Sequence, residues 1–398
     1  MNTDTTPSHT YPSVPQHTDA GPLSGGALDE LAGRLADAAT IVGIGESTRA
    51  ARETFGVRDQ LFRRLVGRHG FRALAVQDSA DVAVRLDAYV RGGGGSAAAA
   101  LDGAWRPWRT AEMAEALTWM REFNQDHPDD PIRIFGVKPA QAQPDDYDTV
   151  LDHVRASAPE RLAKAASHLD PIRTAHHTDE HLQRARGTHP GRPFADHARD
   201  ALALVRSLPE AGRDDSVLAR MRLIVDFHEH SVAGRDSYAG DATVWADTLC
   251  DAQRSSGLRL VYWDGIAHTS AAEAVLGMAA ERGPQPGVGS LLRERYGARY
   301  VSVAIGFHHG DLGAAVVPEP AADLIDARLG AAGPPDHWLD LRRDAVRRRW
   351  DGPAKARVIG GVYDPSRDDI AHLAFASLAD AFDVLIHLHR VSPVRLLP

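Results

Sequence analysis

The sequence predicts an α/β fold, a central and mostly parallel sheet flanked by helices, with a helical insertion or cap. The first 77 residues alternate helix, strand, helix, strand, a pattern that favours parallel strands with helices packed on them. The strands are short apolar runs, as expected of strands buried on both faces. Residues 140–235 are different, because they are rich in His, Ala, Arg and Asp and show helical patterns.

The elements are predicted in chain order from their hydrophobic periodicity and end signals. Residues 1–25, rich in Pro, Thr, Ser and His, are expected to be a disordered tail, and residues 26–395 to form the α/β domain. Within that domain, helices are predicted at 28–38, 52–70, 112–125 and 241–257. Strands are predicted at 40–46, 71–77, 132–138, 258–265, 298–307 and 356–364, with a closing helix or strand at 374–393.

Composition limits the class of partner. The 398 residues include 45 Lys and Arg against 54 Asp and Glu, a net charge of −9, which argues against nucleic acid as the main ligand. The sequence shows no signal peptide and no apolar run near the ~20 residues of a membrane span. Its one cysteine, Cys250, is predicted to lie in a helix as a small core residue and fits a reducing cytoplasm. We therefore expect a cytoplasmic protein with a small-molecule substrate, and the oligomeric state stays open.

Polar side chains stand where four of the predicted strands end. Ligands of parallel α/β sheets bind beyond the carboxyl ends of the strands, so these ends are where a site is expected. Among these residues, a histidine is the group that shuttles a proton near pH 7. The candidates are Glu46 with Arg49 and Arg58 after the first strand, Gln77 after the second, Asp264 and His268 after the strand at 258–265, and His308 and His309 after the strand at 298–307.

Each candidate also has a structural interpretation. A carboxylate such as Glu46 can cap the next helix, helix arginines are mostly solvated, and a lone histidine is more often structural than catalytic. The sequence contains no GxSxG elbow, no phosphate-binding glycine motif and no HExxH or CxxC pair. The spacing of His228, Glu229 and His230 resembles a metal site only loosely, so we predict no metal and no other cofactor.

Several segments resemble the erythromycin esterase family, which also includes proteins described as succinoglycan biosynthesis proteins. The segment IVGIGESTRAARETFGVRDQLFRRLVGRHGFRALAVQ is similar to the opening motif of that family. Further matches follow in order over residues 27–390, among them LVYWDGIAHTS (260–270) and GVGSLLRERYGARYVSVAIGF (287–307). The resemblance implies the fold of this family and its activity, the metal-independent opening of macrolide lactones in which a His is thought to activate water.

The resemblance carries over three site residues and marks two departures. Glu46 matches the Glu of the family, Arg58 its helix Arg and His268 its later His. Arg49 stands where the family has its water-activating His, and Gln77 where it has a second Glu.

A third departure lies in the later motif. The Trp-Ala-His-Asn-x-His of the family reads WDGIAH at 263–268, so one His and an Asn are missing.

The departures change what the site can do. A guanidinium has a pKa above ~12, so Arg49 cannot be a general base and can only donate. Counted with Gln77, the changes add about two positive units, which favours a substrate more anionic than a macrolide. Glu46 is expected to pair with an arginine and to have a lowered pKa. His268 is then expected to act as base.

Three functions follow from this pattern. The first is an esterase-like hydrolase in which Glu46 orients His268 as base and Arg49 and Arg58 form an oxyanion or anion clamp. Substrate contacts are expected from Gln77, Asp264, His308 and His309. The second is a non-hydrolytic biosynthetic enzyme, such as a lyase, cyclase or acyl transferase, because the usual base is missing. The third is a small-molecule binding protein without turnover.

Overall fold

A nine-stranded sheet forms the centre of the part of the chain that the computed structural model describes. The described residues are 20–173, 191–209, 214–236, 238–360 and 363–398, with the backbone alone at 230–236 and 238–241. The strands are β1 (Gly21–Pro22), β2 (Ile41–Glu46), β3 (Phe71–Ser79), β4 (Arg133–Lys138), β5 (Arg259–Gly265), β6 (Val275–Leu276), β7 (Tyr300–Asp311), β8 (Val316–Val317), β9 (His337–Asp340), β10 (Ala354–Arg357), β11 (His372–Phe375) and β12 (Val384–Val391).

The sheet is mostly parallel, as predicted. Its order is β1-β9-β12-β7-β2-β5-β3-β4, with β8 paired to β7. The six strands from β12 to β4 run parallel to their neighbours, whereas β1, β8 and β9 pair antiparallel. Strands β10, β11 and β6 form a separate antiparallel sheet. The predicted fold class is therefore confirmed.

Helices flank the sheet and cover its hydrophobic faces. Their bounds are α1 (Gly25–Ala36), α2 (Arg52–His69), α3 (Ala80–Val90), α4 (Ala97–Ala100), α5 (Ala111–Asp126), α6 (Pro144–Ser157), α7 (Leu162–Leu169), α8 (Phe194–Arg206), α9 (Asp215–Asp236), α10 (Tyr238–Ser256), α11 (Ile266–Thr269), α12 (Val288–Tyr296), α13 (Ile325–Gly330), α14 (Asp344–Trp350) and α15 (Leu378–Ala381). The helices from α6 to α9 bury a hydrophobic cluster of their own. Among its described residues, the region predicted to be an insertion thus contains helices joined by short loops and no strand.

Glycine in β2 permits a close approach that places the later histidine. A Cβ atom at Gly45 would lie 2.0 Å from Thr269 Oγ1 and 2.9 Å from the Cα of Ile266. Any larger residue would push α11 away from the strand, because real Cβ contacts are never this short. The bare backbone of Gly45 therefore allows the helix that carries His268 to lie directly on β2.

Three predicted boundaries are wrong. Residues 1–19 lie outside the described residues, but 20–25 are not part of a tail, because Gly21 and Pro22 pair with β9. The strand predicted at 356–364 stops at Arg357 and belongs to the small sheet. The strand predicted to stop at residue 307 continues to Asp311, so His308 and His309 lie within it.

Two further expectations concern the cysteine and membrane spans. Cys250 is buried beside α12, as predicted for a small core residue. No helix among the described residues is both long and apolar enough to cross a membrane.

Histidines cluster on three neighbouring strands, away from α11. His308 and His309 of β7 lie beside His389 of β12, with ring centroids 5.1–5.2 Å apart. His387 of β12 is 1% exposed, and its ring is 5.3 Å from that of His337 on β9. Burial, together with the neighbouring His337, His308 and His389, lowers the pKa of His387 to about 3.

Acid should destabilise the fold through this cluster. An unfolded His387 binds a proton below about pH 6.5, whereas the folded one stays neutral to about pH 3, so stability falls as pH falls through this window. We expect a loss of about 2–3 kcal/mol between pH 7 and pH 4.5, measured by urea unfolding. His387→Gln should flatten this part of the pH dependence, and an equally steep dependence in that variant would contradict the assignment.

Candidate active site

Three adjacent strands bring the candidate residues together. Gly45 of β2 lies beside Asp264 of β5, and β5 lies beside β3, which carries Gln77 near its end. The strand ends predicted to converge therefore do so for Glu46, Gln77 and Asp264.

Glu46 forms a buried ion pair with the helix arginine that follows it. Arg58 Nη1 donates to Glu46 Oε1 at 2.7 Å, and the Thr54 hydroxyl donates to Oε2 at 3.2 Å. Both charged side chains are 1% exposed. Glu46 therefore does not cap α2, whose N-cap residue is Ala51.

Arg58 is enclosed by aromatic rings. Its Cζ atom lies 4.9 Å from the ring centroid of Phe55, 5.0 Å from that of Trp108 and 4.6 Å from that of Trp263. Ring faces of this kind attract a cation. A side chain so enclosed cannot reach a substrate in this conformation, so the expected role of Arg58 in an anion clamp is corrected to holding Glu46.

The direction expected for the pKa of Glu46 is wrong. Complete burial raises the pKa of this carboxyl, and the opposing effects of Arg58, Arg49 and Thr54 are smaller. The expectation counted the arginines and omitted the loss of hydration, which disfavours the charged form. Desolvation likewise lowers the pKa of the Arg58 guanidinium.

Arg49 contacts two other side chains of the site. Its Nη2 group donates to Gln77 Oε1 and to Asp264 Oδ1, both in short contacts. Its Cζ atom lies 4.8 Å from the ring centroid of Trp105, and the side chain is 18% exposed. One guanidinium thus holds Gln77 and Asp264 and keeps part of its own surface accessible.

Asp264 is a structural partner of Arg49 rather than a surface that a substrate can touch. It is fully buried, and it accepts hydrogen bonds from the Tyr262 hydroxyl and, at 2.6 Å, from the backbone N–H of Gly265. With these partners and Arg49, its carboxylate is committed inside the protein. The expectation that Asp264 binds substrate directly is therefore corrected.

Gln77 links Arg49 to His268. Its Nε2 atom lies 3.5 Å from His268 Nε2. Because a guanidinium only donates, the atom of Gln77 that faces Arg49 is the oxygen, and the amide N–H groups face the imidazole. This orientation favours the tautomer of His268 whose lone pair is on Nε2, the nitrogen nearest to the Gln77 amide.

His268 stays neutral at the pH where a base is needed. Burial lowers its pKa, Asp264 opposes this effect, and the positive charges of Arg49 and Lys138 add to it. A neutral imidazole at neutral pH can accept a proton. His268 also lies against Trp245, with ring centroids 5.0 Å apart.

The structure adds residues that the sequence argument missed. Lys138 ends β4, and its Nζ atom lies 4.6 Å from the ring centroid of Trp105 and 5.4 Å from that of Trp245. A signal was present, because Lys138 ends a predicted strand as Glu46 does. The two tryptophans carried no such signal, since Trp105 is in a loop and Trp245 on a helix.

His308 and His309 do not join this group. Their Nδ1 atoms lie 3.0 Å apart, and their rings contact His389, with His308 also near His387. Within the described part of the chain, no hydrogen bond or ring contact connects either of them to Arg49 or His268. Their expected role in substrate binding has no support in this geometry.

The segment from His228 to His230, whose spacing loosely resembles a metal site, is described in part. His228 Nε2 lies 2.8 Å from the hydroxyl of Tyr147 in the helical region, and the side chain of His230 lies outside the described residues. Among the side chains that the structure describes, no three or more His, Cys, Asp or Glu are grouped so that they could hold a metal ion. The expectation of a metal-independent site remains a prediction.

Comparison with known proteins identifies one family. A family model described as "Erythromycin esterase" matches residues 66–391. Similar solved structures include a protein from Bacillus cereus, at 19% sequence identity with a TM-score of 0.67, covering 96% of this chain and 97% of that chain. Another is described as a succinoglycan biosynthesis protein, at 19% identity with a TM-score of 0.69, covering 96% of each chain.

A mutant of the erythromycin esterase EreC in its open conformation also matches. The identity is 15% and the TM-score 0.61, with 93% of this chain and 95% of that chain covered. At these identities the solved structures show a shared fold.

The pairing of Arg49 with Asp264 predicts compensating mutations. Arg49→Met leaves a buried carboxylate without its guanidinium, so we expect a loss of about 3 kcal/mol in the free energy of unfolding. Adding Asp264→Asn should recover most of the loss, because a neutral amide needs no counter-charge. Urea unfolding of the wild type, both single variants and the double variant measures the coupling.

Arg52→Met is the matched control for this cycle. Arg52 is 52% exposed, so its replacement should change the free energy of unfolding by less than about 0.5 kcal/mol. Losses that simply add in the double variant would show that Arg49 and Asp264 are independent.

The charges around His268 predict the direction of its titration. Its ring resonances, assigned by comparison with His268→Ala, should titrate below pH 6.5 in an NMR pH series. Lys138→Gln removes a positive neighbour that disfavours the protonated ring, so the midpoint should move to higher pH. A midpoint at or above 6.5 in the wild type, or a downward move in the variant, would argue against this electrostatic arrangement.

Proposed function

The chain belongs to the erythromycin esterase family, which implies hydrolysis of ester bonds, and on that premise we propose that it hydrolyses an ester or lactone of a small natural product with His268 as general base. The observation that carries the proposal is the chain of contacts from Arg49 through Gln77 to His268 Nε2. It supplies one group that donates to a carbonyl oxygen and one that accepts a proton. The family match favours hydrolysis over the non-hydrolytic and binding alternatives.

His268 activates water in this proposal. Its Nε2 atom lies 3.5 Å from Gln77 Nε2, a long contact that a water molecule replaces, and it takes a proton from that water as the water oxygen attacks the ester carbon. The resulting tetrahedral intermediate collapses, the C–O bond to the leaving group breaks, and the protonated imidazole returns its proton to the leaving oxygen. The same histidine therefore serves as base and then as acid, and no other proton carrier is required.

Arg49 stabilises the oxyanion in this proposal. Its Nη2 group is committed to Gln77 and Asp264, which leaves the donors of Nη1 for the carbonyl oxygen. Held in this way, the guanidinium does not have to reorganise as charge develops, and such fixed donors contribute most to transition-state stabilisation. Glu46 and Arg58 hold the base of the loop between β2 and α2 that carries Arg49.

We further propose that the helical region from α6 to α9 covers the site. The adjoining α10 supplies Trp245, which lies against His268. A cover of this kind would exclude bulk water from the imidazole and strengthen every charge interaction beneath it.

Replacing His268 tests the function. We expect the wild type to hydrolyse members of a panel of esters and lactones, macrolides included, with the ring-opened or cleaved product read by mass spectrometry. His268→Ala should lower kcat/KM by roughly 100-fold or more, as expected for loss of a general base.

His127→Ala is the matched control, because His127 is exposed and stacks on Phe123, away from the site. It should leave the rate unchanged. Equal rates for the wild type and a folded His268→Ala protein would exclude His268 as the base. Complete inactivity of the wild type on the panel would count against ester hydrolysis itself.

A further inference from the structure

The charged side chains of the site differ in how deeply they are buried. Its carboxylates are buried, with Glu46 2% exposed, Asp78 5% and Asp264 0%. Two of its cations, Arg49 and Lys138, are only half-buried. A substrate therefore meets positive groups first, although the carboxylates balance the charge from behind.

Asp78 shows how the carboxylates are held behind the accessible side. The backbone N–H of Ser79 donates to Asp78 Oδ1 and that of Trp105 to Oδ2, both at 2.8 Å. This carboxylate therefore supports the loop that carries Trp105. The indole of Trp105 in turn lies near both accessible cations, with the Arg49 Cζ atom 4.8 Å and the Lys138 Nζ atom 4.6 Å from its centroid.

Lys138 is fixed close to the proposed base. It ends β4, which pairs with β3 so that Lys138 lies beside Ser79. Its ammonium is within reach of the indoles of Trp105 and Trp245, and Trp245 also contacts His268. Indole faces attract an ammonium group and hold it in place while its positive charge remains.

The two cations differ in the geometry with which they bind. Arg49 uses its Nη2 group on Gln77 and Asp264, so its orientation is fixed by the protein. Lys138 carries a compact charge with three donors on a flexible stem, which suits an anionic group of variable position. Arg49 is thus the candidate for the reacting carbonyl, and Lys138 for a second group of the same substrate.

We propose that Lys138, between Trp105 and Trp245, binds a carboxylate or phosphate group of the substrate, so that the enzyme selects anionic esters. This inference rests on the proposed ester hydrolysis and adds its substrate class and a residue that determines specificity. The sequence argument attributed a preference for anionic substrates to Arg49 and Gln77. Because Asp264 pairs with Arg49, the proposal attributes that preference to Lys138 instead.

A matched pair of substrates measures the selectivity. The mono-4-nitrophenyl ester of adipic acid carries a free carboxylate, and its methyl ester has the same chain without the charge. Release of 4-nitrophenol at pH 7.5 gives kcat/KM for both. We expect the wild type to prefer the carboxylate by about 10-fold or more, the scale of one charge-assisted contact.

Variants of Lys138 assign that preference to the subsite. Lys138→Gln should remove most of the preference, and Lys138→Glu should reverse it. Because Lys138 also influences the pKa of His268, the readout is the ratio of kcat/KM for the two esters, since a change in the base affects both rates alike. Lys164→Gln removes the same charge from an exposed helix position and should leave the preference intact. A wild type that treats both esters alike, or a Lys138→Gln variant that slows both equally, overturns the proposal.

A binding measurement separates this proposal from the proposed hydrolysis. Phenylphosphonate carries an anionic group and contains no ester, so its affinity, measured by calorimetry, does not depend on turnover. If neither ester is hydrolysed, the proposed function fails. The subsite still stands if the wild type binds phenylphosphonate about tenfold more tightly than Lys138→Gln does, and it falls if the two bind equally or neither binds.

Discussion

The buried carboxylates Glu46 and Asp264 impose the constraint that shapes the rest of the site. They lie at the ends of neighbouring parallel strands, where water cannot solvate them. Each carboxylate therefore needs a cation of its own, and Arg58 and Arg49 fill these places. Buried ion pairs of this kind add little net stability, so their main consequence is the fixed direction of the two guanidinium groups.

Three of the departures that the resemblance implies form one physical unit around Arg49. By that resemblance, Arg49 stands in place of a His, Gln77 of a Glu and Asp264 of an Ala, and Arg49 contacts both of the other side chains. When Asp264 is included, the three changes add one positive unit rather than the two counted from Arg49 and Gln77 alone. The Asp264 carboxylate thus offsets the charge of the Arg49 guanidinium, so this pair of side chains adds no net charge between β2 and β5.

The sequence was sufficient for the fold class and for the convergence of Glu46, Gln77 and Asp264, because strand ends of a parallel sheet share one edge. It could not predict which arginine pairs with which carboxylate, since that depends on the depth at which α2 packs. Burial also decided the pKa of Glu46, and burial is a tertiary property. Lys138 could not be assigned to the site from the sequence either, because the two tryptophans that surround it are distant from it in the chain.

The altered residues are compatible with hydrolysis if the proton-transferring group lies after β5 rather than after β2. By the resemblance of the opening motif, the water-activating His of the family corresponds to Arg49, a group that can only donate. In the proposed mechanism, proton transfer belongs to His268 after β5, and polarisation of the carbonyl belongs to Arg49 after β2. The two strands are neighbours in the sheet, and Gly45 lets α11 lie on β2, so the exchange requires no change of fold. The attacking water would accordingly approach the ester from the side of β5.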